Sequence, residues 1–240
     1  MGSKHLSEVL PRIRSSLAVN RVPCCIFDLD STLLNSRQRT FRILKKFTSV
    51  QGHRFSGLAE RVAEIQEEEL GYTILEPLEG HDVLTPLLRR DLKRYWGRRF
   101  FTSRWCEGDT PIEGGVSYVR ACYEAGAHIL YLTARETPQM EEGTCKSLER
   151  EGFPWPRGER VELQMKPRDG GKDENFKAVA IRAILARDLD VVASFENEPG
   201  NANLFLKAFP EALHFLLETV HSPNAEPPEA GLIGTTDFLT

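Results

Sequence analysis

No stretch of the 240 residues approaches the roughly 20 consecutive apolar side chains of a membrane span, and the N-terminus has no secretory apolar core. Cysteine is sparse. There are five, an odd number with no paired spacing, so neither a disulfide framework nor a zinc site is expected and a reducing cytoplasm is the anticipated compartment. The six histidines show no ligand spacing and are read as structural. Internal repeats and low-complexity tracts are absent too. There is no excess of positive charge: the formal net charge of −4 gives no global attraction to nucleic acid or an anionic membrane, although a local basic patch is compatible with it. What is present is ordinary globular composition, 40% hydrophobic and 28% charged, in a chain long enough to bury a full core.

The chain is organised around Cys24-Cys25-Ile26-Phe27-Asp28-Leu29-Asp30-Ser31-Thr32-Leu33-Leu34. It begins as an apolar run of strand length, as a parallel sheet covered on both faces requires, with Cys24 and Cys25 acting as small hydrophobes. In such sheets the ligand crevice lies beyond the carboxyl ends of the strands, which places Asp28 and Asp30 at its floor. Side chains at i and i+2 share a direction along a strand, so both carboxylates can face one site. Their mutual repulsion calls for water or a cation, and Mg²⁺ suits oxygen ligands of this kind. An ordinary polar turn after a strand is the competing reading, because Asp and Ser are common turn residues.

Around that stretch the periodicities alternate. A helical stripe over 4–18 precedes the first strand. Three amphipathic stripes follow over 38–50, 57–70 and 83–100 with no strand between them, which makes 37–107 an all-helical insertion. From Gly108-Asp109-Thr110-Pro111, read as a turn and helix start, strands and helices alternate. The strands are expected at 127–132 (ending on Thr133-Ala134-Arg135), 161–165, 191–195 (ending on Glu196-Asn197-Glu198) and 213–217. The helices fall near 116–123, 137–151, 175–187 and 204–209, and the proline-bearing tail reads as irregular. This pattern predicts an α/β, Rossmann-like three-layer core with a parallel five-stranded sheet.

The strand ends then carry a recognisable set. Asp28-Leu29-Asp30-Ser31-Thr32 follows the first strand. Leu130-Tyr131-Leu132-Thr133 ends in a hydroxyl. Lys177 opens the helix before the fourth strand, and Glu196-Asn197-Glu198 follows that strand. Four such signatures in order resemble the haloacid dehalogenase (HAD) superfamily, most of whose members are phosphatases. The likeness covers roughly 22–36 and 108–220. It implies a core of 1–36 and 108–240, with 37–107 as a helical cap that closes over the site. It also implies a Mg²⁺-dependent phosphatase acting on a small phosphorylated substrate through an aspartyl-phosphate. Asp28 would be the nucleophile and Asp30 the acid and base. Lys177 would be the charge-neutralising lysine, and Thr133 would hold phosphoryl oxygens with backbone N–H groups near Leu29 and Ala134. Mg²⁺ would be held by Asp28, the backbone carbonyl of Asp30 and Glu196.

Rival readings accompany these assignments. Thr133 can cap the next helix as well as bind phosphate. Arg135 can reach a substrate or form a surface ion pair. Lys166 is the runner-up to Lys177, and Lys172 reads as a solvated loop charge. Glu196-Asn197 departs from the family's usual pair of aspartates, and Glu198 or Asn201 could supply a missing oxygen. The segment from Leu163 to Lys177 also resembles polynucleotide kinase 3′-phosphatase domains. That likeness, with the basic run Arg89, Arg90, Lys93, Arg94, Arg98, Arg99 and Arg104, gives a nucleic-acid end-processing phosphatase as the alternative. The usual meaning of the basic run is a solvated face paired with Glu67-Glu68-Glu69. A non-catalytic phosphate- or protein-binding module is the alternative of another class. Oligomeric state is not legible in the sequence.

Overall fold

A computed structural model describes residues 4–66, 69–168, 171 and 173–240; Glu67, Glu68 and Lys172 lie outside the described residues. A 3₁₀ turn, Lys4–Glu8, leads into α1 (Val9–Ala18) and then β1 (Pro23–Phe27). All five positions of β1 are buried, as the apolar run requires. After the acidic turn, β2 (Leu34–Asn35) pairs antiparallel with β3 (Thr110–Pro111), and α2 (Ser36–Gln51), α3 (Leu58–Glu64), α4 (Pro86–Phe100) and α5 (Ser103–Cys106) lie between them. The alternating part follows: α6 (Gly115–Glu124), β4 (His128–Thr137), α7 (Glu141–Glu151), β5 (Val161–Pro167), α8 (Asp173–Leu185), β6 (Asp190–Glu196), α9 (Pro199–Ala208), β7 (Leu213–Leu217) and β8 (Ile233–Thr235).

The main sheet has the order β5-β4-β1-β6-β7-β8, with every neighbouring pair parallel. The strand that opens the chain's sheet is therefore central, and its two neighbours come from far along the sequence. Alternation along β1 divides the core into two layers. Cys25 and Phe27 join Ile13 of α1 and Val119 and Cys122 of α6 on one face. Cys24 and Ile26 join Phe176, Ala180 and Ile184 of α8 and Phe205 of α9 on the other. The helices between β2 and β3 bury an apolar cluster of their own, including Ile43, Phe47, Leu58, Leu88 and Leu92. Local signals start these helices: Asn35 accepts the Arg37 N–H at 3.0 Å, and Thr85 accepts that of Leu88 at 3.2 Å, ahead of Pro86.

The structure corrects the sequence reading in four places. The sheet has six strands, not five, because Ile233–Thr235 pairs with β7 in what reads as an irregular tail. Three residues containing a glycine are too short to display a period of two. Thr110–Pro111 is a strand rather than a helix start, since β2 supplies a partner there. β4 runs on through Thr137, past the polar residues expected to end it. The stripe over 57–70 yields a helix only as far as Glu64.

Candidate active site

The register of the sheet builds the site. Phe27 pairs with Phe195, and Phe195 with Phe215. Their rings stack across three strands with centroids 4.5 and 4.8 Å apart and planes within 6° and 5° of parallel. Stacked rings at cross-strand positions stabilise a sheet and fix its register. The next residue on each strand points to the opposite face, so Asp28 and Glu196 emerge side by side. The Asp28 N–H continues the ladder with a 3.0 Å bond to the Phe195 carbonyl.

Into this pair comes Lys177 from the second turn of α8. Its ammonium donates to Asp28 Oδ1 at 2.8 Å, Glu196 Oε2 at 3.0 Å and the Leu132 carbonyl at 2.6 Å. All three residues are buried. Burial works to lower the lysine's pKa, but Asp28 and Glu196 outweigh it and hold the group above its ordinary value. Burial, with Glu196 as a second cause, pushes the Asp28 carboxyl up to about 8 against the pull of Lys177. The choice among lysines is thus geometrically clear. Lys166 points elsewhere, 2.8 Å from Asp173 and 3.2 Å from Glu136.

Asp30 belongs to a separate network. Arg135 reaches it twice, Nε to Oδ2 at 2.8 Å and an Nη to Oδ1 at 2.9 Å, and Arg39 donates to Oδ1 at 2.6 Å. Both arginines also bind Asp109: Arg39 Nε at 2.9 Å, with a further bond to Oδ2, and Arg135 at 2.7 Å. Arg39, Asp109 and Arg135 are buried, whereas the Asp30 side chain is 31% exposed. Burial alone would raise the Asp30 pKa; Arg135 and Arg39 overcome it and hold the carboxyl well below the usual range. Arg135 is therefore not in a surface ion pair. Its remaining donor contact is with Thr144 Oγ1, 3.0 Å away.

Two members of this network, Arg39 and Asp109, escaped the sequence reading. Arg39 had a signal: Arg39, Ile43 and Phe47 lie four apart on the buried stripe of α2, and an arginine on an apolar stripe needs a buried partner. Asp109 had none, because an aspartate before Thr-Pro reads as a turn residue.

The remaining assignments resolve locally. Thr133 does not cap the following helix: β4 continues to Thr137, and the residue before α7 is Met140 with no side-chain cap bond. Its hydroxyl accepts the Arg135 N–H at 3.3 Å. The β4–β5 ladder is interrupted between Thr133 and Glu136, so Ala134 lies in the interruption. The Leu29 carbonyl collects the N–H groups of Thr32, Leu33 and Leu34, and Ser31 takes a left-handed φ of 60°. That tight loop carries Asp28 and Asp30, consistent with strain stored at sites.

The fourth signature has its own logic. Asn197 Oδ1 accepts from Thr32 at 3.2 Å, and its Nδ2 donates to the Val220 carbonyl at 2.6 Å. An aspartate could make the first bond but would set oxygen against oxygen in the second. Glu198, the other carboxylate of this signature, accepts the Ser222 N–H at 2.7 Å.

Among the described residues no group of three His, Cys, Asp or Glu side chains is placed to hold a metal ion, in keeping with Asp30 having turned its carboxylate onto two arginines. The donor set still suits a hard cation, because every candidate is an oxygen. Asp28 and Glu196 stand together, and Asn201 Oδ1, in the first turn of α9, is buried with no hydrogen-bond partner. An orphaned buried oxygen is costly until a cation or donor reaches it.

No sequence-family model matches the chain, and no curated protein matches it in sequence. Solved structures do match in fold. A candidate phosphatase from Clostridium difficile superposes with a TM-score of 0.55 at 12% identity, covering 89% of this chain and 94% of the other. A candidate β-phosphoglucomutase from Thermotoga maritima gives 0.50 at 18% identity, covering 90% and 95%. The chain spans 66% of a class C acid phosphatase from Bacillus anthracis, solved with tungstate bound, with a TM-score of 0.41, 16% identity and 84% of this chain covered. These likenesses show the fold: an α/β core of the kind found in HAD-type phosphatases. The short likeness to polynucleotide kinase 3′-phosphatase domains is not shown by these comparisons.

Proposed function

We propose that the protein is a Mg²⁺-dependent phosphohydrolase of the HAD type, acting on a phosphate monoester through an aspartyl-phosphate on Asp28. The observation that carries this reading is the convergence of Asp28, Glu196 and Lys177, from three distant segments, at the carboxyl edge of a parallel sheet. Phosphate monoesters are among the slowest esters to hydrolyse unaided, and a carboxylate nucleophile divides the step in two.

Asp28 would attack phosphorus with its second oxygen, Oδ2, which has no hydrogen-bond partner among the described residues; Oδ1 is held by Lys177. Lys177 would offset charge on the transferring phosphoryl group. The Thr133 hydroxyl and the backbone N–H groups of Leu29 and Ala134 would orient its oxygens. Asp30, oriented and held ionised by the two arginines, would take a proton from the water that attacks the aspartyl-phosphate. To protonate the leaving oxygen in the first step it would have to be loaded with a proton first, which requires the substrate to draw it away from Arg39 and Arg135. Mg²⁺, held by Asp28, Glu196 and the Asp30 carbonyl, with Asn201 as a further oxygen, would neutralise phosphate charge. The helices between β2 and β3 would act as the cap, excluding water and selecting the leaving group.

The test is phosphate release from an aryl phosphate, with Mg²⁺ and with chelator, by wild type and Asp28→Asn. Magnesium-dependent release lost in Asp28→Asn is the expected result. Turnover that survives the substitution would refute the nucleophile and with it this reading.

A further inference from the structure

The charge of this protein is strongly segregated. α2 and α4 together carry eleven lysines and arginines against a single acid, Asp91, which leaves twenty cations for the rest of the chain against thirty-four acids. Asp91 is already engaged, 3.1 Å from Arg54 and 3.0 Å from Arg90. The expected pairing of this face with the acidic segment before it does not form at Glu69, which binds Arg61. Arg39 and Arg42 turn inward toward Asp109. The side chains of Lys46, Lys93, Arg94 and Arg98 form no ion pair or hydrogen bond with any described residue.

The cations of this face are ordered in space. Arg90, Arg94 and Arg98 are spaced four apart on α4, a ladder with a rise of about 6 Å per step. Lys46 stands across from it on α2. Between the helices runs a cleft of about 510 Å³ lined by Lys46, Arg94, Arg98 and Arg99, with Tyr95 and the single acid Asp91, already paired, among the other lining residues. Like charges at this spacing repel and weaken a helix, so the arrangement is costly without an external anion. A solvated helix face would ordinarily intersperse acids, and this one has almost none.

An aromatic cluster follows the ladder at the C-terminal end of α4. Phe101, just past the end of α4, is 46% exposed, and its ring meets Trp96 at 5.5 Å and Phe100 at 5.0 Å. Phe100 in turn lies 4.4 Å beneath the Arg39 guanidinium, which binds Asp30. Through Phe100 and Arg39 the C-terminal end of α4 is therefore tied to the candidate active site.

We propose that the α2/α4 face binds single-stranded nucleic acid, with the cleft cations taking backbone phosphates and Phe101 stacking on a base. A regular ladder of positive charge fits a linear polyanion. The exposed Phe101 ring, three residues past Arg98, suits an unstacked base, which a single strand offers and a duplex does not. This inference concerns binding alone and stands whether or not Asp28 is a nucleophile.

The experiment is fluorescence anisotropy of a labelled oligothymidine of about 15 nucleotides, long enough for a single-strand site, titrated with the full chain across a salt series. Each phosphate neutralised on a single strand adds about 0.7 to the log–log salt slope, so four cleft cations give a slope near −3. Arg94→Glu with Arg98→Glu should weaken binding by about tenfold or more and flatten the slope. Arg94→Gln with Arg98→Gln serves as a milder pair. Neither should lower the melting temperature, because each removes repulsion, and neither should change turnover of a small aryl phosphate. Phe101→Ala should weaken the oligonucleotide but not inorganic polyphosphate. The proposal is overturned by no binding at low salt, by binding indifferent to the charge changes, by a matched duplex held as tightly, or by a Phe101→Ala protein that binds unaltered.

Discussion

Asp109→Asn tests the buried charge network most directly. Asp109 has no solvent exposure, and its two oxygens take three hydrogen bonds from Arg39 and Arg135, whose side chains are themselves 0% and 1% exposed. Asparagine preserves the shape but removes the charge and turns one acceptor into a donor facing a guanidinium. Two buried cations then share a single carboxylate, Asp30. Removing one partner of a buried pair costs about 3–5 kcal/mol, because the partner's charge is left uncompensated. For a domain of this size each kcal/mol moves the melting temperature by about 2–4 °C, so a drop of about 6–20 °C is expected. Asp30 is open to water on one side and can compensate in part, which favours the lower half of that range. The assay is thermal unfolding followed by circular dichroism at neutral pH, with Lys146→Met as a control. Lys146 bridges Glu107 and Glu142 on the surface and should leave the transition where it is. A shift for Asp109→Asn no larger than the control's would refute the claim that these four residues act as a buried unit.

Lys177→Met should lower kcat for an aryl phosphate by about 10²–10³-fold, the usual effect of losing one charge-stabilising donor, and steady-state kinetics would show it. Asn197→Asp, although it restores an acidic pair, should lower stability by about 1–3 kcal/mol through the lost bond to Val220, read as a lower urea midpoint. His214 is buried between Ser194 Oγ at 2.7 Å and the Phe209 carbonyl at 2.8 Å, and burial lowers its pKa despite the latter bond. As pH falls below about 6.5 the unfolded chain takes up this proton before the folded one, so stability declines. His214→Gln should flatten that decline, measured as melting temperature from about pH 7.5 to about pH 5.

Much of the core was legible because its chemistry is periodic or sits at strand ends. β1 could be read from an unbroken apolar run, and Asp28, Lys177 and Glu196 from their positions after or before strands. Distances in sequence also favoured Lys177, since one helix and one strand fit between it and Glu196. What could not be read depends on pairing partners. β8 is three residues long and acquires strand character only from β7. Thr110–Pro111 does so only from β2. Arg135 could be read as a substrate contact or as a surface ion pair, because the burial of a guanidinium is decided by Asp30 and Asp109, 105 and 26 positions away. No local pattern announces a contact of that kind.

The two networks make the charge at the site countable. Asp30, Asp109, Arg39 and Arg135 balance one another, so the pocket sees the other set, Asp28, Glu196 and Lys177. These leave a single negative charge once Asp28, its carboxyl pushed up to about 8, has given up its proton to act as a nucleophile. A phosphate dianion brought beside Asp28 is repelled by that charge, and burial leaves little water to screen it. Lys177 cannot supply the difference because both carboxylates already claim it. A bound divalent cation would turn the local charge positive by one, so the arrangement supports the proposed Mg²⁺ dependence. Asn197 belongs to the same argument, since an aspartate there would add a second uncompensated charge. Inorganic phosphate should therefore bind measurably by calorimetry with Mg²⁺ present and far more weakly with chelator. Asp28→Asn, which removes the residual charge, should narrow that difference. Equal phosphate affinity with and without Mg²⁺ in the wild type would mean that other groups balance the pocket's charge, and that two carboxylates and one ammonium do not set it.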